Sequence, residues 1–216
     1  MKEFCKKWFS KEGLKAFFFS FIWLSLVIFV IDIISKWAVQ NSLTVGQSVA
    51  LIPNFLNVTL VHNLGAAFSL GANGEIGWRI FWIAVSVILS GVLIFVFAKY
   101  FKKFTLIQKA ALALMIGGAL GNMIDRCFYW KAVVGFDGVI DWIDFQFGSW
   151  HFATFNLADA ALVIGVLIII VVEIINMIKE AKEKSRRGEY DLPPMEVEAK
   201  QKENEENKEN EENKDK

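Results

Sequence analysis

Four long apolar runs dominate this chain and limit what it can fold into. Ala16 to Ile31, AFFFSFIWLSLVIFVI, carries no charge, and with Asp32, Ile33 and Ile34 at its end it is long enough to span a bilayer. Ile80 to Ala98 is a second uncharged run, Ala110 to Ile124 a third, and Phe155 to about Ile178 a fourth, which holds ALVIGVLIIIVV and has Glu173 near its end. Charge is concentrated elsewhere: of 216 residues, the last 38 hold half of all the Lys, Arg, Asp and Glu in the chain. A soluble surface cannot be covered with the charges that remain. The fold class is therefore an all-α integral membrane protein. It has four transmembrane helices and a disordered cytoplasmic C-terminal tail.

The connections set the organisation. Residues 1–15 form a basic N-terminus with Lys2, Lys6, Lys7, Lys11 and Lys15. The basic start resembles that of a signal peptide, but the apolar run is long and SKWAVQ is a poor cleavage site, so the segment reads as a retained helix. Residues 16–178 form the membrane domain, with outer loops at 35–79 and 125–154, and residues 179–216 form the tail. Lysines cluster at the N-terminus, between Lys99 and Lys109, and after the fourth run. The positive-inside rule then puts both termini and the middle loop in the cytoplasm. In the first outer loop NFLNVTLVHN alternates apolar and polar residues, which predicts short strands. The tail, QKENEENKENEENKDK, is too polar to bury a core.

Cysteine and histidine offer little chemistry. Cys5, Cys127, His62 and His151 are the only ones, and none is spaced as a zinc site. Neither a metal nor a cofactor is expected. Carboxylates offer more. Glu3, Glu12 and Glu75 read as solvated surface, and Glu173 as a residue that snorkels. The remaining acids of the membrane domain, Asp32, Asp125, Asp137, Asp141, Asp144 and Asp159, fall at or near the outer ends of helices. Polar groups bordering a bilayer core are costly unless paired, which makes them functional candidates. Helix capping by Asp159 and close helix packing at Gly117 and Gly121 are the competing explanations.

Five stretches taken in order carry a family resemblance: DIISK from Asp32, VHNLGAAFSL from Val61, GGALGNMIDR from Gly117, VIDWIDF from Val139 and FNLADAALVIGV from Phe155. Together they resemble the bacterial lipoprotein signal peptidases, or signal peptidase II, over about residues 20–178. The resemblance implies an intramembrane aspartyl endopeptidase of the bacterial inner membrane that cuts prolipoproteins before their diacylglyceryl-modified cysteine. It implies Asp141 and Asp159 as the catalytic pair. Asn63, Gly65, Asn122, Arg126 and Asn156 would bind substrate or orient that pair, and Asp32, Lys36 and Asp125 would be structural. The Asn41–Gly77 region would form a small β-platform on the outer face, and the active site would lie near the outer leaflet. The partners would be prolipoprotein substrates and membrane lipids, with no nucleic acid, and the protein would be a monomer.

The chain departs from the family pattern twice. Ala153 stands where proline is usual, and the segment from Cys127 to Ile140 is longer than usual, which makes Asp137 a rival to Asp141. Asp125 is the other rival. The alternative function is a small proton-coupled transporter using the same Asp residues as a relay. Relay acids usually sit near the bilayer midplane on interrupted helices, whereas these sit at helix ends. A membrane scaffold acting through its tail would leave the Asp and Asn clusters unexplained.

Overall fold

A computed structural model describes residues 18–65, 76–129 and 138–187. The elements run α1 (Ile22–Ser42), β1 (Ser48–Ile52), β2 (Leu56–Asn63), α2 (Ile76–Tyr100), α3 (Leu106–Phe128), β3 (Val139–Phe147), β4 (Trp150–His151) and α4 (Leu157–Arg187). All four helices are long and apolar enough to cross a membrane. The basic N-terminus, Asp137 and the tail from residue 188 lie outside the described residues. The chain divides into two compact units, Met1–Val171 and Val172–Lys216. The described part of the second is the end of α4, where Lys184 and Glu180 pair one turn apart at 3.7 Å.

The least apolar helix is the central one. The mean hydropathy of α3 is 1.3 over its most apolar window, against 2.8 for α2, and half of that window is buried inside the protein. It packs against both α1 and α2. Glycine makes the approach to α1 possible, as the sequence spacing suggested. A Cβ on Gly117 would lie 2.7 Å from the Ser25 carbonyl oxygen, and one on Gly121 only 2.5 Å from Asp32 Oδ2. Leu93 and Phe97 of α2 meet Leu112, Ile116 and Ala119 of α3 in an apolar core that also receives Leu162 of α4. The outer helix surfaces stay apolar, with Leu26 and Ile88 both more than 60% exposed, as suits side chains facing lipid rather than water. A capping box between Thr105 and Gln108 starts α3.

The platform is a four-stranded antiparallel sheet in the order β1-β2-β3-β4. Pro53 and Asn54 turn the chain from β1 to β2, Asn54 taking the positive φ that a type II turn needs at that position. Half of its strands come from the second polar region, 125–154, to which the sequence reading assigned none. The segment VIDWIDF forms β3, whose residues alternate faces at period two. Leu60, Ile140 and Tyr129 form a small core with Val39 and Leu43, which fixes the sheet to the ends of α1 and α3. Helix α1 also runs on past Ser35 to Ser42, so Asp32 and Lys36 lie inside a helix rather than at its end.

Candidate active site

The site forms where β3, the start of α4 and the last turns of α3 meet. After β4 the chain folds back along β3. The amides of Trp142 and Ile143 both donate to the Phe155 carbonyl, at 3.0 and 2.7 Å, and the Phe155 amide donates to the Ile143 carbonyl at 3.1 Å. This return sets Asn156 beside Asp141. Asn156 is also the cap of α4: its Oδ1 accepts from the Asp159 amide at 3.0 Å, while Asp159 Oδ2 accepts from the Asn156 amide at 3.2 Å. The capping role foreseen for Asp159 is thus real, and it coexists with a place in the polar centre.

Amides hold the two carboxylates. Asp141 Oδ1 accepts from Asn156 Nδ2 at 2.7 Å, and its Oδ2 accepts from Asn63 Nδ2 at 2.9 Å. Asp159 Oδ1 accepts from Asn122 Nδ2 at 2.7 Å. Asn156 Nδ2 also donates to Asn122 Oδ1 at 3.1 Å, so two adjoining amides link the acids. Asn63 reaches Asp141 because it pairs with Val139, two residues away on the same face of β3. A bulge in β2 between Val58 and Val61 sets that register. The Gly65 amide donates to Asn63 Oδ1 at 3.1 Å, which directs the Asn63 nitrogen at Asp141.

Asp141 is buried, with 2% of its surface exposed. Burial, and after it the nearby charge of Asp159, pushes its carboxyl up to about 7, against the pull of hydrogen bonds from Asn63 and Asn156. Asp144, three residues on, has the opposite character. Burial alone would raise it, but hydrogen bonds from His151 and Thr59 hold it below the usual carboxylate range. His151 Nδ1 lies 3.1 Å from Asp144 Oδ1, and Thr59 Oγ1 donates to Oδ2 at 2.8 Å. These contacts tie β2, β3 and β4 together, and Asp144 takes no part in the centre.

Below the pair lies an ionic cluster. Lys36 Nζ is 2.6 Å from Asp32 Oδ2 and 2.7 Å from Asp125 Oδ2, and all three side chains are fully buried. Asp32 Oδ1 accepts from the Ala158 amide at 2.9 Å, so α1 helps to cap α4. No local pattern signals this contact, because it spans 126 positions. Arg126, in the last turn of α3, donates to the Asn122 carbonyl at 3.2 Å, and its charge acts on Asp159, Asp125 and Asp141. Arg79, unassigned in the sequence, donates to the Tyr129 carbonyl at the end of α3. Among the described residues no His, Cys, Asp and Glu gather as metal ligands.

Beyond Asp141 the same face of β3 turns aromatic. Phe145, Phe147, Phe55, Phe152 and Phe155 line an open, wholly apolar hollow of about 290 Å³.

Linked acids of this kind, one with its carboxyl pushed up by burial and by its neighbour, have the character that activating water and protonating a carbonyl requires. Set against four membrane helices, such a centre suits an intramembrane aspartic peptidase as a class. The chain matches the family described as Signal peptidase (SPase) II over residues 24–175. The lipoprotein signal peptidase of Actinobacillus succinogenes is 42% identical over 166 residues, covering 76% of this chain and 96% of that one. That of Haemophilus influenzae strain Rd is 43% identical over 147 residues, covering 68% and 80%. A bacterial membrane enzyme solved by the in meso method at 2.3 Å resolution superposes with a TM-score of 0.60 at 30% identity, covering 73% of this chain and 88% of that one. The chain belongs to the signal peptidase II family. It is an aspartic endopeptidase and a multi-pass protein of the bacterial inner membrane, which sets aside the transporter alternative.

Proposed function

We propose that Asp141 and Asp159 are the catalytic pair with which this chain removes the signal peptide from lipoprotein precursors, cutting before the diacylglyceryl-modified cysteine. The chain is an intramembrane aspartyl peptidase of such precursors. The observation that carries the residue assignment is the link through Asn156 and Asn122, which engages both acids at once. Asp125 is committed to Lys36, which favours Asp141 over it as the second acid, and Asp137 lies outside the described residues.

The pair holds one proton between two acids. The ionised member takes a proton from water as the oxygen attacks the scissile carbonyl carbon. The protonated member gives its proton to the carbonyl oxygen. The tetrahedral diol then collapses, the C–N bond breaks, and a proton passes to the leaving amine. No covalent enzyme intermediate forms. Asn63, Gly65, Asn122, Arg126 and Asn156 hold the acids and offer donors to the substrate backbone. The aromatic hollow on the Asp141 face of β3 suits an acyl chain of the modified cysteine.

Both termini face the cytoplasm and the site lies near the outer leaflet, a reading supported by the lysines between Lys99 and Lys109 and after Ile178. Reporter fusions after Lys103 and Lys184 should read cytoplasmic, and one after Gly74 external. A cytoplasmic signal at Gly74 would overturn that orientation. The chemistry is tested by cleavage of a diacylglyceryl-modified prolipoprotein with purified protein in detergent. Asp141→Asn and Asp159→Asn should lose nearly all cleavage, and Asp137→Asn should keep most of it. An active Asp141→Asn beside a dead Asp137→Asn would move the second acid to position 137.

A further inference from the structure

Lys36 sits in the interior of α1 with no exposed surface, so it cannot touch substrate. An ammonium has three N–H donors and no acceptor. All three donors are engaged: Asp32 Oδ2 at 2.6 Å, Asp125 Oδ2 at 2.7 Å and Asn122 Oδ1 at 3.1 Å. The third contact matters for chemistry. An asparagine amide has an accepting end and a donating end of nearly the same shape, and its neighbours decide which way it faces. Only an acceptor can face Lys36, so Asn122 must turn its oxygen to the ammonium and its NH2 to Asp159 Oδ1, 2.7 Å away. The Asn156 NH2, itself turned by the α4 cap, reinforces the choice by donating to the same Asn122 oxygen.

We propose that Lys36 is a positioning residue for the cleavage reaction, locking the Asn122 amide so that it donates to Asp159 and holds that oxygen as an acceptor. This rests on the reading of Asp141 and Asp159 as the catalytic pair. Without the ammonium, only the Asn156 NH2 opposes a turn of the amide oxygen to Asp159. Two acceptors would then face each other unless Asp159 took up the proton. The pair would lose both its geometry and the location of its single proton. Asp32 and Asp125 have a different part in this: they surround the ammonium with negative charge and so offset the cost of burying it.

Replacing Lys36 alone would leave two buried carboxylates without a counter-ion, and the protein could fail to fold for that reason. The test therefore uses the triple variant Lys36→Met, Asp32→Asn, Asp125→Asn. It removes the charges together, and Asn at 32 retains an acceptor for the Ala158 amide. Cleavage kinetics are measured for the wild type, for Asn122→Leu, for the triple variant and for their combination, each checked by thermal melting in detergent. If Lys36 acts through Asn122, the triple variant and Asn122→Leu each lower kcat about 100-fold with KM within about threefold. The combination is then no slower than the slower of the two. A folded triple variant with wild-type kcat, a loss confined to KM, or losses that multiply in the combination overturns the proposal. A second measurement needs no change at Lys36. The Asn122 side-chain NH2 resonance of the full-length protein, assigned with Asn122→Leu, should shift strongly in Asp159→Asn. An unmoved resonance overturns the proposal, because the nitrogen would then face away from Asp159. Retained cleavage in Asp159→Asn would sink the catalytic pair instead, whatever the cycle gives.

Discussion

Replacing Asp141 by Asn should abolish cleavage and yet stabilise the protein at alkaline pH. The carboxyl is buried and raised from 3.8 to about 7, first by burial and then by Asp159. A raised acid contributes stability that is fully present below its unfolded value and is lost as pH rises through its folded value. The window is therefore 3.8 to about 7. Each unit is worth about 1.4 kcal/mol, so between pH 5 and pH 8 the wild type should lose on the order of 3 kcal/mol that a neutral Asn does not lose. The substitution has its own cost. Asn63 and Asn156 aim donors at both oxygens of Asp141, and Asn offers only one oxygen. One donor pair is left opposed, at roughly 1–3 kcal/mol. That cost is nearly independent of pH, so the pH dependence of the difference isolates the charge. Thermal melting of both proteins in the same detergent at pH 5, 6, 7 and 8 reads it. The melting temperature of Asp141→Asn relative to wild type should climb steadily across the series. A difference that is flat, or that falls with pH, would refute the claim that Asp141 is held at an energetic cost in its ionised form.

Asp159→Asn should also be inactive, and joining it to Asp141→Asn should make cleavage little worse than either change alone, because paired acids act as a unit; multiplied losses in the same assay would show independent roles. Asp144→Asn should keep cleavage within a few-fold while lowering the melting temperature, since its hydrogen bonds to His151 and Thr59 serve the sheet. Gly121→Ala places a methyl group 2.5 Å from Asp32 Oδ2 and 3.2 Å from the Ala158 side chain. It should destabilise the protein by about 1–3 kcal/mol, as overpacking does, seen as a lower melting temperature in detergent. Ending the chain after Glu189 should leave cleavage within about threefold, because the family match stops at residue 175.

Periodicity and charge in the sequence determined the membrane helices, since an uncharged run of bilayer length needs no partner to declare itself. Apolar and polar residues in alternation along NFLNVTLVHN announced β2 for the same local reason. Strand β3 was hidden because it is buried along much of its length, so VIDWIDF lacks the polar face that marks an exposed strand. The acids of the centre were legible as costly residues at the edge of apolar runs, and their motifs singled out Asp141 and Asp159. What the sequence left open was how residues 18 positions apart meet, a spacing that is neither helical nor local. Tertiary structure decided that: the return of residues 152–156 along β3 brings Asn156 to Asp141, and the start of α4 then carries Asp159 to the same place. It also decided the part of Lys36. In the sequence it is one lysine just past an apolar run. In the fold, three acceptors from two helices close around its ammonium, and that enclosure, with the Asn156 NH2, turns the donating end of Asn122 to Asp159. Hydrogen-bond direction depends on all partners at once, and those partners lie up to 86 positions apart.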